Sequence, residues 1–231
     1  MSPDDTPTKD KFPGNSPESR DIAFHMHPYT KPAMLADSGP HIMARGSGVF
    51  VHDEGGNRFY EGMSGLWCTS LGFSEPELVQ AAIDQFGKLP FYHSFAGKTV
   101  GPAIDLAEHL ISIAPPAADG STIAKAFFCS SGSEANDTAM KMVWYYQAAR
   151  GKPEKRKIIS RRRGYHGVTM AAASMTALAY AQDGFGLPLD FVKHTSSPCF
   201  YNEGHEGESE AAFARRCADE LEELILAEGP D

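Results

Sequence analysis

The stretch FFCSSGSEANDTAMKMVWYYQAAR, residues 127–150, decides the fold. An apolar, aromatic-rich run leads into small and hydroxyl-bearing residues broken by one acid, and a helical pattern starts at once. That order predicts a buried strand over IAKAFFC, 123–129, and a helix over 132–150. In a parallel α/β sheet, ligands sit beyond the carboxyl ends of the strands, where this junction falls. The first N–H groups of a helix are unpaired and carry partial positive charge, so they attract a phosphate. Gly132 lets the backbone approach such an anion, and Ser131 and Ser133 add hydroxyl donors. Ser131 and Glu134 also satisfy the S-x-x-E capping box, which helices use with no ligand at all. Residues 131–134 therefore fit either a phosphate cup or a ligand-free cap. The sequence contains neither G-x-x-x-x-G-K-[ST] nor G-x-G-x-x-G, which speaks against a P-loop or a dinucleotide fingerprint.

Downstream, RKIISR (156–161) reads as a strand, 167–181 as a helix, FVKHT (191–195) as a strand and 209–228 as an acidic amphipathic helix. Such alternation means βαβ units and a largely parallel sheet with helices on both faces. The chain stops at AEGPD directly after a helix, so an incomplete sheet is expected. Upstream, GVFVHDEGGNRFYEGMSG reads as a β-hairpin around an Asp-Glu-Gly-Gly-Asn turn. Ser74, with Glu77 three residues on and Pro76 between, gives a capping-box start for a helix to about Gly87. A further helix is expected over 102–113, stopped by Pro115 and Pro116. The first twenty residues carry little to bury. The expected organisation is a disordered tail over 1–20, an N-terminal segment with the hairpin over 21–73, and the first part of a large α/β domain over 74–231.

A second chemistry-bearing stretch is RRRGYHG, 161–167, again at a strand-to-helix transition. Glycines around Tyr165 and His166 suggest an aromatic ring held against a flat ligand, although a packed tyrosine and a satisfied histidine fit the same pattern. Residues 161–163 read as a solvated strand end.

Composition narrows the partners. With 42% apolar residues in 231, the chain can bury a core as one domain plus a small appendage. A formal net charge of −9 argues against nucleic acid or an anionic membrane as the main partner. The apolar run MAAASMTALAYA, 170–181, is too short to span a bilayer, and no signal-peptide pattern stands at the start. Cys68, Cys129, Cys199 and Cys217 are widely spaced, which fits a reducing cytoplasm. A metal site drawn from His25, His27, His41 and His52 is set aside, because two histidines two apart at a loose boundary are commonplace.

Taken together, SSGSEANDTAMK, GYHG and FYEGMSGLWCTSLGF resemble the class III aminotransferases, pyridoxal-phosphate enzymes of fold type I. The likeness leans toward the ω-amino-acid:pyruvate or amine:pyruvate branch and runs from about His27 to the last residue. It implies pyridoxal 5'-phosphate as cofactor, held by Ser131, Gly132 and Ser133, with Tyr165 stacked on its ring and His166 beside it. By the same resemblance Leu66 and Trp67 line the substrate pocket, and Tyr92 and Phe95 contribute near a homodimer interface. The implied reaction is ping-pong transamination between an amine or amino-acid donor and a keto-acid acceptor, by way of pyridoxamine phosphate.

The sequence departs from the family pattern in one respect. The family's Schiff-base lysine and the acid that pairs with the pyridinium nitrogen lie in motifs beyond residue 231, and none of the eleven lysines present belongs to the lysine motif. The chain is therefore expected to be an N-terminal fragment, inactive as written. A non-catalytic scaffold, or an aminomutase or decarboxylase of the same fold, are the alternatives, since cofactor and fold do not fix the reaction.

Overall fold

Ser16 and Pro17 start the first helix of the computed structural model, which describes residues 11–116 and 120–229. In α1, Pro17–Phe24, the Ser16 hydroxyl accepts a bond from the Ser19 N–H, and Pro17 fills a first-turn position whose missing N–H costs nothing. Helical order thus begins within the stretch expected to be a loose tail. Residues 1–10 of that stretch lie outside the described residues. Helix α2, Pro32–Ser38, likewise opens on a proline.

The chain divides into two units, Met1–Ile104 and Asp105–Asp231. In the first, β1 (Met43–Ser47), β2 (Phe50–Asp53) and β3 (Arg58–Tyr60) form an antiparallel sheet in that order. The β2–β3 hairpin is the expected one. Phe50 pairs with Tyr60 across it, with ring centroids 4.7 Å apart, and Val51 is buried. Its turn is fixed by Asp53, whose carboxylate accepts from the Asn57 backbone N–H at 2.8 Å and from the Asn57 side-chain amide at 2.9 Å. Those bonds hold the Asp53 carboxyl below its usual range.

The segment α3, Ser64–Trp67, is one turn of left-handed helix. Its four residues have φ of 51, 60, 62 and 67°, and Trp67 N–H and Cys68 N–H close bonds to the carbonyls four residues back. Only one of the four is glycine, and each of the others carries roughly 1–2 kcal/mol of steric cost. Helix α4, Pro76–Lys88, starts later than its expected cap. Ser74 does not cap it: with φ at 59° its hydroxyl donates instead to the Gly46 carbonyl at 2.9 Å. Helix α5, Gly101–Ile113, matches expectation.

The second unit contains α6 (Gly132–Ala149), β4 (Ile158–Arg161), α7 (Met170–Met175), α8 (Ala179–Gln182), β5 (Val192–Thr195), α9 (Phe200–Glu203) and α10 (Glu210–Glu228). Strands β4 and β5 pair in parallel, with Ile158 opposite Val192 and Arg161 opposite Thr195. Helix α7 packs against both strands and against α6, and α10 packs on β5. Ala172, Ala173, Val192, Phe213, Cys217 and Met140 form the buried apolar part.

Two expectations fail here for tertiary reasons. The run 123–129 forms no ladder with another strand among the described residues, so it is not a strand, and Phe127 and Phe128 stay exposed. The single helix expected over 167–181 breaks into α7 and α8, because Ala177 leaves the helix: its N–H bonds the Gly164 carbonyl, and its own carbonyl accepts from Arg163 N–H.

The turn before α10 is tied by ions. Arg216 donates through Nε and Nη2 to both oxygens of Glu208, at 3.0 and 2.9 Å, and the His205 N–H bonds the same carboxylate at 2.9 Å. These partners hold the Glu208 carboxyl down at about 2. Because the folded value lies below the unfolded one, its contribution is complete above the ordinary value of 4.5 and fades as pH falls toward about 2. Thermal unfolding of wild type and Glu208→Gln should therefore differ most at neutral pH and converge in acid. A difference independent of pH would remove the ion pair from the account.

Candidate functional site

Ser131 has extended backbone, φ −156° and ψ 162°, and stands immediately before α6. Its Oγ accepts from the Glu134 N–H at 3.2 Å, and the Glu134 carboxylate accepts from the Ser130 N–H at 2.8 Å. The capping arrangement is thus present. It uses the serine oxygen as an acceptor and leaves the hydroxyl proton available. Among the described residues the N–H groups of Gly132 and Ser133 have no protein acceptor, as expected of a helix start.

A β carbon placed on Gly132 would meet nothing within 4 Å, so the space over this helix start is open. Two backbone N–H groups and two hydroxyls stand at the positive end of this 18-residue helix. That donor set fits a phosphate. Cap and cup are therefore compatible, since the cap consumes lone pairs and a phosphate needs donors.

The second motif reaches the same place. Gly164, Tyr165, His166 and Gly167 follow β4, and the next residue, Val168, donates its N–H to Ser133 Oγ at 3.0 Å. Gly167 is buried with φ at +131°, and a β carbon there would lie 2.9 Å from Ser133 Cα and Cβ. Only glycine lets the loop pass so close to the first turn of α6. Ser133 thus touches both motifs: its oxygen accepts from the loop, and its proton is left for a ligand.

Tyr165 is 56% exposed. His166 is half-buried and held by its backbone. Its N–H donates to Thr176 Oγ1 at 2.8 Å, and its carbonyl accepts from the Asn136 amide at 2.7 Å. Asp137, on the next position of α6, accepts from the Thr169 hydroxyl at 2.8 Å and from the Ala172 N–H at 3.1 Å, capping α7 from a neighbouring helix. Asn136, Asp137 and Thr176 escaped the sequence reading. An Asn-Asp pair inside a helical pattern, where neither favours the helix, was the available signal.

Of residues 161–163, expected as a solvated strand end, Arg163 takes φ of 62° and pairs with Glu203 at 3.2 Å.

Leu66, Trp67, Tyr92 and Phe95 belong to the first unit. Leu66 and Trp67 stand on the left-handed turn and are largely exposed. Tyr92 stacks on His93 with centroids 4.7 Å apart, and Phe95 approaches the same ring at 6.3 Å. His93, unremarked in the sequence, is the hinge of that aromatic group. The histidines considered for a metal separate. Asp21 accepts from or bonds both His25 Nδ1 at 3.0 Å and His27 Nε2 at 2.6 Å, whereas His41 and His52 lie outside this group.

No helix among the described residues is long and apolar enough to cross a membrane. The chain matches the family model for aminotransferase class-III over residues 34–231. It is 46% identical over 226 residues to the probable gamma-aminobutyrate transaminase 2, mitochondrial, of Oryza sativa subsp. indica, an alignment covering 98% of this chain and 44% of that protein. Among solved structures it is similar to the omega transaminase from Pseudomonas jessenii in complex with PMP, at TM-score 0.89 and 50% identity over 93% of this chain and 46% of that one. A transaminase with L-ala superposes at TM-score 0.86 with 54% identity, covering 94% of this chain and 47% of that chain. The chain thus spans somewhat under half the length of the relatives it matches, and over that span it has the fold type I architecture. The family's cofactor is pyridoxal 5'-phosphate, and the donor set around Ser133 suits its phosphate. With the family model covering most of its length, the chain belongs to the class-III aminotransferases.

Proposed function

We propose that the protein of which this chain is a part transfers the amino group of an amine or ω-amino acid to a keto acid such as pyruvate. The observation that carries this is the Ser133 side chain, which joins the phosphate cup to the loop bearing Tyr165. Ser131, Gly132 and Ser133 bind the phosphate, Tyr165 covers one face of the ring, and His166 sits beside it. Bound pyridoxal phosphate supplies an electron sink for the pair left when a donor loses its α-proton. Leu66, Trp67, Tyr92 and Phe95, all in the first unit, are the residues proposed to select the donor. A gamma-aminobutyrate transaminase and an omega transaminase among the relatives both support a donor whose amino group is remote from any carboxylate. The complete enzyme works as a homodimer, and the four free cysteines suit a reducing compartment such as the cytoplasm.

The test is an absorbance spectrum of the full-length protein after incubation with pyridoxal phosphate and desalting. A retained visible band that borohydride alters and an amine donor bleaches supports the proposal, with pyruvate restoring it. Loss of all cofactor on desalting would leave residues 131–134 as a helix cap and nothing more.

A further inference from the structure

We propose that Asn136 is a positioning residue that sets the place of the Tyr165 ring relative to the phosphate cup, an inference that rests on the function proposed above. Tyr165 is exposed, and among the described residues its ring has no aromatic partner. Its location must therefore come from the backbone that carries it. That backbone is held at the following residue. The N–H of His166 is fixed by Thr176 Oγ1 at 2.8 Å, and its carbonyl by Asn136 Nδ2 at 2.7 Å. With both peptide groups flanking the His166 α carbon anchored, its two soft dihedrals have little freedom.

The two anchors differ in origin. Thr176 follows α7 and moves with the loop's own return, whereas Asn136 stands on α6, four residues after Gly132 and so on the same helix face. Among the described residues only the Asn136 bond ties the Tyr165–His166 backbone directly to the helix whose first turn would hold the phosphate. Ser133 bonds further along, at Val168. The chemistry requires a neutral donor at this position. An aspartate there would keep the shape but set a carboxylate oxygen against the His166 carbonyl, both of them acceptors.

The test compares wild type, Asn136→Ala and Asn136→Asp in the full-length protein by three readouts. They are the affinity for pyridoxal phosphate, the visible circular dichroism per bound cofactor, and the affinity for inorganic phosphate measured by competition. Loss of one half-buried hydrogen bond should weaken cofactor binding by about tenfold in both variants, with Asn136→Asp the weaker binder. The dichroism per bound cofactor should fall, because the ring is no longer held in one orientation. Competition by inorganic phosphate should change by less than about twofold, since the cup itself is untouched. Dichroism and cofactor affinity equal to wild type would overturn the proposal. So would a parallel loss of cofactor and phosphate affinity, which marks a merely structural role. A wild-type protein that binds inorganic phosphate but no pyridoxal phosphate would overturn the functional reading together with this inference.

Discussion

Gly167→Ala is expected to destabilise the second unit by about 3 kcal/mol and to abolish cofactor retention on desalting. The added methyl collides with Ser133, whose Cα and Cβ lie 2.9 Å from where it would sit and whose Oγ is nearer still. Backbone takes part in that clash, so no change of rotamer relieves it. The φ of +131° adds strain of its own for any residue with a β carbon. Relief requires the loop to lift from α6, which breaks the Val168 to Ser133 bond and separates the two motifs. Gly132→Ala is the control for stability alone, because the same methyl meets no protein atom within 4 Å there. Melting temperature and retained absorbance of the full-length variants decide the matter. A Gly167→Ala protein that melts with wild type and keeps its cofactor would contradict the contact.

Thr176→Val is the second large effect, with an expected cost of about 2–3 kcal/mol. Thr176 is fully buried, and its hydroxyl works in both directions. It accepts from the His166 N–H at 2.8 Å, and its proton lies within reach of the Gly167 carbonyl at 3.3 Å and the Ala172 carbonyl at 3.2 Å. Valine keeps the shape and strips the polarity, leaving the His166 N–H without its partner. Thr176→Ser keeps the hydroxyl and loses one methyl, at about 1 kcal/mol. Chemical denaturation should therefore rank wild type above serine and serine above valine. The opposite order for the two variants would show that packing, not the hydroxyl, matters there.

Much of this was legible because it is local. The boundaries of α6, β4, β5 and α10 follow from periodicity, caps and turn residues within each segment, and the structure reproduces them closely. The donors of the proposed phosphate cup could be named for the same reason, since they belong to three consecutive residues. What failed depended on partners far away in sequence. Ser74 looked like a cap but spends its hydroxyl on Gly46, and the run 123–129 reads as a strand yet has no neighbour to pair with among the described residues. Thr176 sits in the middle of an alanine-rich helical pattern, and its distant bonds to residues 166 and 167, with those of Ala177 to residues 163 and 164, explain why the helix ends there. Asn136 and Asp137 were hidden similarly, because a helix propensity says nothing about which loop a polar side chain will meet.

The left-handed turn at Ser64–Trp67 changes what mutagenesis of Leu66 and Trp67 would measure. Ordinarily alanine is the gentle truncation and glycine the harsh one, because glycine frees the unfolded chain. At Leu66 and Trp67, with φ of 62 and 67°, the ranking inverts, since glycine alone occupies that region without a steric penalty. An alanine scan keeps the β carbon and its backbone cost, so it reports the side chain alone, whereas a glycine scan adds the relief of strain. A glycine there removes the whole side chain and discharges stored strain in the same step, so the most truncated variants need not be the most fragile.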